Sequence, residues 1–386
     1  MLSIFTKYKI KNNINSFNNI YNFLSTIIVA LIVSKRYGDI LVDNTIFSSP
    51  SKYILLIIML ISIINIYLNY KRLKISDIII AYVLLIQFIV TKNGVLLFSY
   101  ISILGIKYHN INKTIKIYFI TNLLFFIVII ILNKANLKPS LIIKTYDDLG
   151  FGNPNTAYIS FYLIWLSYLY LRFNKTNYIE KILLITTPII MYSITHSRTG
   201  LVTILFTIAF SLFLKYINFE DDSKKNKFIL IILSSIPIII TIISLVIGYK
   251  FNENTLLNNV LSTRPLCWNR YLKHPDKPLN LIGYDNNIRH TLMGGAIPLD
   301  SGYISNIYIN GVIIYALFII LYSYTIYLTY KNKKKKNLVL IMSILMYSFA
   351  ESITLDLSTN ISLILLIQNQ DYYTSFKKSV NSNKKI

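Results

Sequence analysis

Twelve apolar runs separated by short, lysine-bearing polar stretches occupy most of this chain. A helix needs about 20 apolar residues to cross the roughly 30 Å hydrocarbon layer of a bilayer. In that layer only structures that satisfy their own backbone hydrogen bonds survive. The runs at 17–34, 52–70, 76–91, 94–107, 115–132, 156–172, 178–195, 200–216, 228–249, 303–327, 337–354 and 357–370 are therefore expected as spans. Asn18, Asn19 and Asn22 interrupt the first, and the last is short with polar ends. The expected fold class is an all-α integral membrane protein of about 12 transmembrane helices, a single polytopic domain over 1–386. The composition agrees, with 54% hydrophobic and only 14% charged residues, where soluble domains carry about 25% charge.

The formal net charge of +23 does not point to nucleic acid. The cations lie in small clusters between apolar runs, a pattern that sets membrane topology rather than a groove for a polyanion. One set of short loops, with both termini, holds 25 lysines and arginines, and the alternate short loops hold 8. The positive-inside rule then places both termini and the basic tail 371–386 in the cytoplasm. The tetrad Ser197-Arg198-Thr199-Gly200 and the long segment 250–302 fall on the outer side. The first residues lead directly into a span, with no cleavable signal sequence expected. The single Cys267 offers no internal disulfide. The heavy use of Ile, Asn, Lys and Tyr looks like that of an A+T-rich bacterial genome and carries no functional information.

The segment 250–302 is too rich in apolar and turn residues to be a linker. It mixes Leu266, Trp268, Leu272, Leu281, Ile282 and Met293 with Pro265, Pro275, Pro278, Pro298, Gly283, Gly294 and Gly295. A large folded outer loop is expected, and such loops on a helical scaffold tend to carry sites. By contrast, the assigned spans hold no Asp, Glu, Lys, Arg or His in their central turns, with Asp77 and Glu351 near ends. That disfavours ion-coupled transport, which normally needs ionisable groups or unwound helices at mid-membrane.

Four polar stretches could carry chemistry. Arg198 opens span eight, where free N–H groups and the positive end of the helix dipole make a seat for phosphate. Equally, Arg198 could snorkel to lipid headgroups while Ser197 caps the helix. A short helix is expected after Thr263, placing Arg264 and Trp268 on one face at i, i+4; Arg264 could hold an anion, or the helix could simply lie on lipid. In the third stretch, Gly283-Tyr284-Asp285 is followed by Arg289-His290 and Asp300-Ser301-Gly302-Tyr303. His290 has a reference pKa near neutrality and could act as a base. Asp300 could do so too, or could cap span ten. The fourth, Gly150-Phe151-Gly152-Asn153-Pro154-Asn155, makes a tight turn into span six. Its Asn153 and Asn155 could bond sugar hydroxyls, or Asn155 could be a helix cap. No metal cluster, phosphate-binding P-loop or nucleophile elbow is found in the sequence.

In their order, these stretches resemble the Wzy-type bacterial oligosaccharide repeat-unit polymerases, relatives of the O-antigen ligases. The resemblance runs over roughly 150–315, through Gly-Phe-Gly-Asn-Pro-Asn, Ser-Arg-Thr-Gly, the Arg264 and Trp268 pair, Leu281-Ile-Gly283-Tyr and Asp300-Ser-Gly-Tyr303 ahead of Gly311. It implies a GT-C-like polymerase or ligase fold with one large extracytoplasmic loop, in the bacterial inner membrane. The implied activity is metal-independent glycosyl transfer without a cofactor, joining undecaprenyl-pyrophosphate-linked repeat units into capsule, exopolysaccharide or O-antigen. Arg198 and Arg264 would bind pyrophosphate, with Arg270 and Arg289 as secondary candidates, and His290 or Asp300 would act on the acceptor hydroxyl. Asn153, Asn155, Trp268, Gly283 and Tyr303 would position sugar or loop. Implied partners are the lipid-linked donor and acceptor, and a flippase and chain-length regulator of the same pathway. An O-antigen-ligase-like transferase, a lipid-linked oligosaccharide flippase and a non-enzymatic scaffold stand as alternatives.

Overall fold

In the computed structural model the chain is helical almost throughout. The structure describes residues 2–41, 50–140, 142–143, 146–219, 223–285, 288 and 297–368, with the side chains of 2–16 and 142–143 excepted. In chain order the helices are α1 (Leu2–Leu41), α2 (Pro50–Leu68), α3 (Ile75–Thr91), α4 (Val95–Gly105), α5 (Ile111–Lys134) and α6 (Pro154–Arg172). They continue with α7 (Tyr178–Thr195), α8 (Arg198–Tyr216), α9 (Lys224–Lys250), α10 (Thr255–Val260), α11 (Arg264–Leu272), α12 (Gly302–Lys331) and α13 (Lys335–Tyr347). A two-stranded antiparallel ribbon, β1 (Ile142–Ile143) with β2 (Tyr146–Asp147), lies between α5 and α6.

Among the described residues, seven helices are long and apolar enough to cross a membrane: Phe17–Leu41 of α1, then α2, α5, α7, α8, α9 and α12. Large apolar side chains stand exposed along them, such as Leu56, Leu60 and Ile64 on α2 and Ile231, Ile238 and Ile242 on α9. Water would penalise such faces, whereas lipid solvates them. The chain is a multi-pass helical membrane protein. Several expected spans take another form. The run 94–107 is a helix of 11 residues, about 16 Å at 1.5 Å per residue, and 76–91 is one of 17. The run 337–354 is helical only to Tyr347. The run 357–370 is irregular up to 362 and helical over 363–368.

The chain divides into two compact units, 1–82 with 98–171 and 83–97 with 172–386. In the first, α1 packs on α2 and α5. Asn65 of α2 is fully buried and donates to the carbonyl of Gly105 at 2.9 Å and to Ser25 Oγ at 3.1 Å. A Cβ on Gly105 would stand 2.9 Å from Ser62 Cα, so two small residues let α2 and the end of α4 approach closely. Lys107 Nζ meets Asp77 Oδ2 at 2.7 Å, with side chains only 1% and 3% exposed. Tyr37 stacks on Phe125 at 5.0 Å and donates to Asn122 Oδ1. Arg36 donates to Ser160 Oγ on α6.

In the second unit α12 packs against α9, α11 and α13, and α13 also packs against α8. Within 250–302 the structure describes 250–285, 288 and 297–302. These residues carry α10 and α11 and a core of Trp268, Tyr271, Leu272, Ile288 and Leu299 joined to Ile304, Tyr308 and Ile309 of α12. Helix α11 sits on the end of α9, where Asn269 Nδ2 donates to the carbonyl of Gly248 at 2.7 Å. A Cβ on Gly248 would approach Leu272 Cδ1 to 2.8 Å.

Helix α12 is broken at Gly311, whose φ of 80° and ψ of 161° are not helical. The segment 280–284 fills the break. Tyr284 N donates to the carbonyl of Ile309 at 2.8 Å, Val312 N to that of Asn280 at 3.1 Å, and Ile313 N to that of Leu281 at 3.2 Å. Backbone groups freed by a break inside a membrane must be satisfied by protein, and this inserted segment does so. Two glycines make the approach feasible: Gly283 has φ +100°, and a Cβ there would lie 2.6 Å from Asn310 C and 2.7 Å from Gly311 N. The sequence reads against ion-coupled transport, which normally uses ionisable groups or unwound helices at mid-membrane, and α12 is a helix broken in this way. The cause of the break is a segment about 30 residues away, so the run 303–327 by itself reads as continuous helix.

Candidate functional site

The positively charged stretch after α10 is built by a tight turn. Ser262 and Thr263 both take positive φ, 53° and 62°, and α11 starts at Arg264 with Pro265 in its first turn, where proline's missing N–H does no harm. The helix expected after Thr263 is therefore present, and Arg264 and Trp268 share its buried face. Trp268 points inward. It is fully buried, edge-on to Phe349 at 5.8 Å, and its Nε1 donates to the carbonyl of Asp300 at 3.4 Å.

Arg264 lies between two carboxylates. Its Nη2 is 2.7 Å from Glu351 Oε1 and 3.8 Å from Asp300 Oδ2. Side-chain exposure is 10% for Arg264, 9% for Glu351 and 36% for Asp300, so Glu351 lies beneath the guanidinium and Asp300 opens outward. Arg264 Nη1 donates to the carbonyl of Leu261 at 3.5 Å, and its Nε is buried without a hydrogen bond. Glu351 lies past the end of α13, outside the seven candidate spans. Burial pushes its carboxyl up to about 7, against the lowering pull of Arg264 and with a further raising contribution from Asp300. A buried carboxylate keeps its charge only with a close cation. This one sits where its proton can come and go near neutrality. Sequence reasoning passed over Glu351 as a residue near a span's end, since its partner lies 87 positions away.

Asp300 does not cap α12. The cap is Ser301, whose side chain accepts from Ile304 N at 3.4 Å. The N–H of Gly302, the next residue, donates to the carbonyl of Ser348 at 2.7 Å. A Cβ there would fall on Thr354 Oγ1. The end of α13 is thereby held against the start of α12, which brings Glu351 to Arg264. Tyr303 is 1% exposed and donates to the carbonyl of Leu345 at 3.0 Å, so it ties α12 to α13 instead of facing an opening.

Arg198 begins α8 and is exposed, reaching the carbonyl of Asn259 in α10 at 3.4 Å. Arg198 thus reaches the end of α10, at Asn259, and Arg264 the turn just after it, at Leu261. Ser197 occupies the cap position of α8, but its side chain makes no capping bond and its buried Oγ is unbonded. Arg270 is exposed on α11. Arg289 and His290 lie outside the described residues. Gly283 serves the break in α12. Asn153 and Asn155 belong to the first unit, where Asn153 Oδ1 accepts from Asn155 N at 2.8 Å. The turn residue at the start of α6 is therefore Asn153, because Pro154 begins the helix and places Asn155 inside its first turn.

Chemically, the cluster couples a guanidinium to one carboxylate that can change protonation near neutral pH and one that is open to solvent. With both carboxylates ionised the cluster carries one net negative charge. Protonation of Glu351 makes it neutral and weakens the hold of Glu351 on Nη2. Set against known proteins, the chain matches no family model, no curated protein and no solved structure.

Proposed function

We propose that this chain is a membrane glycosyltransferase that polymerises undecaprenyl-pyrophosphate-linked repeat units into a surface polysaccharide. In this reading the chain lies in the bacterial cytoplasmic membrane, with both termini inside and 250–302 outside. The observation that carries it is the Arg264–Asp300–Glu351 cluster, where α11, the start of the broken helix α12 and the segment past α13 meet. The acceptor hydroxyl oxygen would attack the anomeric carbon while the bond from that carbon to the pyrophosphate oxygen breaks. Pyrophosphate leaves with the electron pair, and arginine stabilises the charge it gains. Arg198 and Arg264 take that role. The hydroxyl proton passes to a carboxylate, for which Asp300 is the more open group; a positioned base is typically worth about 10²–10⁴-fold.

Cells lacking the protein should accumulate single repeat units on lipid, reachable from the outer face. Long polymer still attached to lipid would indicate a ligase instead. One observation favours a second reading, passage of a lipid-linked oligosaccharide across the membrane. Helix breaks inside spans commonly mark transport sites, and α12 has one at Gly311. Under that reading the single units would stay confined to the inner leaflet.

A further inference from the structure

The break in α12 gathers four carboxamides. Gln87 near the end of α3 and Asn93 in the turn after it are 3% and 2% exposed; Asn306 and Asn310 of α12 are 8% and 3%. Gln87 Nε2 donates to the backbone carbonyl of Asn310 at 3.2 Å and to its Oδ1 at 3.4 Å. Asn93 Nδ2 donates to the same Oδ1 at 3.2 Å. Asn93 is itself fixed, since its N–H donates to Thr91 Oγ1 and its Oδ1 accepts from Val95 N, both at 3.2 Å. Two buried atoms are left over: Gln87 Oε1, an acceptor, and Asn306 Nδ2, a donor, make no hydrogen bond. Asn306 and Asn310 stand one helical turn apart on one face.

Leaving a buried donor or acceptor unmade costs about 1–3 kcal/mol, and the cost is greater where lipid surrounds the protein. Among the described residues none of these four amides is bonded to a charged side chain, which suits a neutral ligand that both gives and takes hydrogen bonds. A hydroxyl does both. At 1.5 Å per residue, Asn306 lies about 6 Å and Asn310 about 12 Å along α12 from Gly302, which adjoins Asp300. Asn306 and Asn310 thus lead away from the arginine cluster along a single helix, and Gln87 and Asn93 meet them from α3 and the turn after it.

We propose that Gln87, Asn93, Asn306 and Asn310 form a binding site for an uncharged, hydroxyl-bearing group, a sugar of the lipid-linked substrate. The source of the sugar rests on the glycan reading above; the site rests on the amides alone.

The test uses the full chain purified in detergent and three probes: a polyprenyl-pyrophosphate-linked disaccharide, the same polyprenyl pyrophosphate without sugar, and the free disaccharide. Wild type should hold the sugar-bearing lipid about tenfold tighter than the bare one, the value of one good hydrogen bond. Asn306→Leu and Gln87→Leu should abolish that preference and leave binding of bare lipid pyrophosphate unchanged. Asn306→Leu should also melt no lower than wild type, because it removes an unbonded amide group; this separates a ligand role from a structural one. Retained preference in both variants, or no preference in wild type, would mean the amides hold water only and would overturn the site. Failure of both lipid probes, with variant-sensitive binding of the free disaccharide, would overturn the lipid-linked reading and uphold the site. Binding of none of the three overturns both.

Discussion

Arg264 is bonded to Glu351 at 2.7 Å with Asp300 beyond it, and this bears on the anion-binding role proposed for it. A guanidinium held by two carboxylates is a poor pyrophosphate ligand until one of them gives up its charge. Burial holds the Glu351 carboxyl up to about 7, and this gives the sign of a pH effect. The folded protein binds that proton more tightly than the unfolded chain, so the contribution to stability is full at low pH and is lost as pH rises through about 7. Glu351→Gln should flatten the melting-temperature profile over that window. Arg264→Lys keeps charge but loses the planar fork, and activity should fall by at least tenfold while the protein still inserts; polymer of normal length and amount from Arg198→Lys and Arg264→Lys alike would remove the clamp. Away from the site, Lys107→Met strands Asp77 in the core. It should cost about 3–5 kcal/mol, largely recovered when Asp77→Leu is added, as a denaturation series would read. Sequence made Arg264 and Trp268 visible as an i, i+4 pair behind a turn. It gave no sign of Glu351 as a partner, because ion pairs across 87 residues leave no local pattern. Trp268 and Tyr303 drew notice as aromatic and polar, yet their depth is set by packing that spacing does not encode.

Most helices begin and end where local chemistry directs. Asn177 and Glu180 make a reciprocal cap on α7, Asn110 caps α5 and Pro265 opens α11. The exceptions are elements whose form depends on a distant neighbour. The run 303–327 gives no hint of a break at Gly311, which exists because the segment 280–284 donates and accepts across it. The apolar stretch beyond Tyr347 reads as helix, yet its backbone is held by side chains: Asn360 Nδ2 donates to the carbonyl of Thr354 at 2.6 Å, and Asp356 Oδ1 accepts from Ser358 N at 2.9 Å. Buried irregular backbone satisfied in this way is tolerated at membrane depth. The interlock at the break predicts that Gly311→Ala and Gly283→Ala each lower stability by more than about 2 kcal/mol, combining a disfavoured φ with a backbone collision. Gly152→Ala shares the positive φ but meets nothing within 4 Å, so it should cost about 1 kcal/mol. Thermal melts of the three variants in one detergent would check the order.

On the scale of the molecule, alternating apolar and basic segments made the helical membrane class legible from composition and run length. The number of crossings was less so, because hydropathy counts a run of 14 residues as readily as one of 24 and cannot see where a helix stops. Sidedness is open to a direct check. In a Cys267-free background, single cysteines introduced within 270–285 should react with an impermeant reagent from outside intact cells, while one at 334 stays protected; the opposite pattern would move the arginine cluster to the cytoplasmic face. The most direct test of the whole account is reconstitution. The purified chain in liposomes, given only undecaprenyl-pyrophosphate-linked repeat units, should convert them into a ladder of lipid-linked multiples with release of undecaprenyl pyrophosphate. Units that cross the bilayer yet remain single would contradict it.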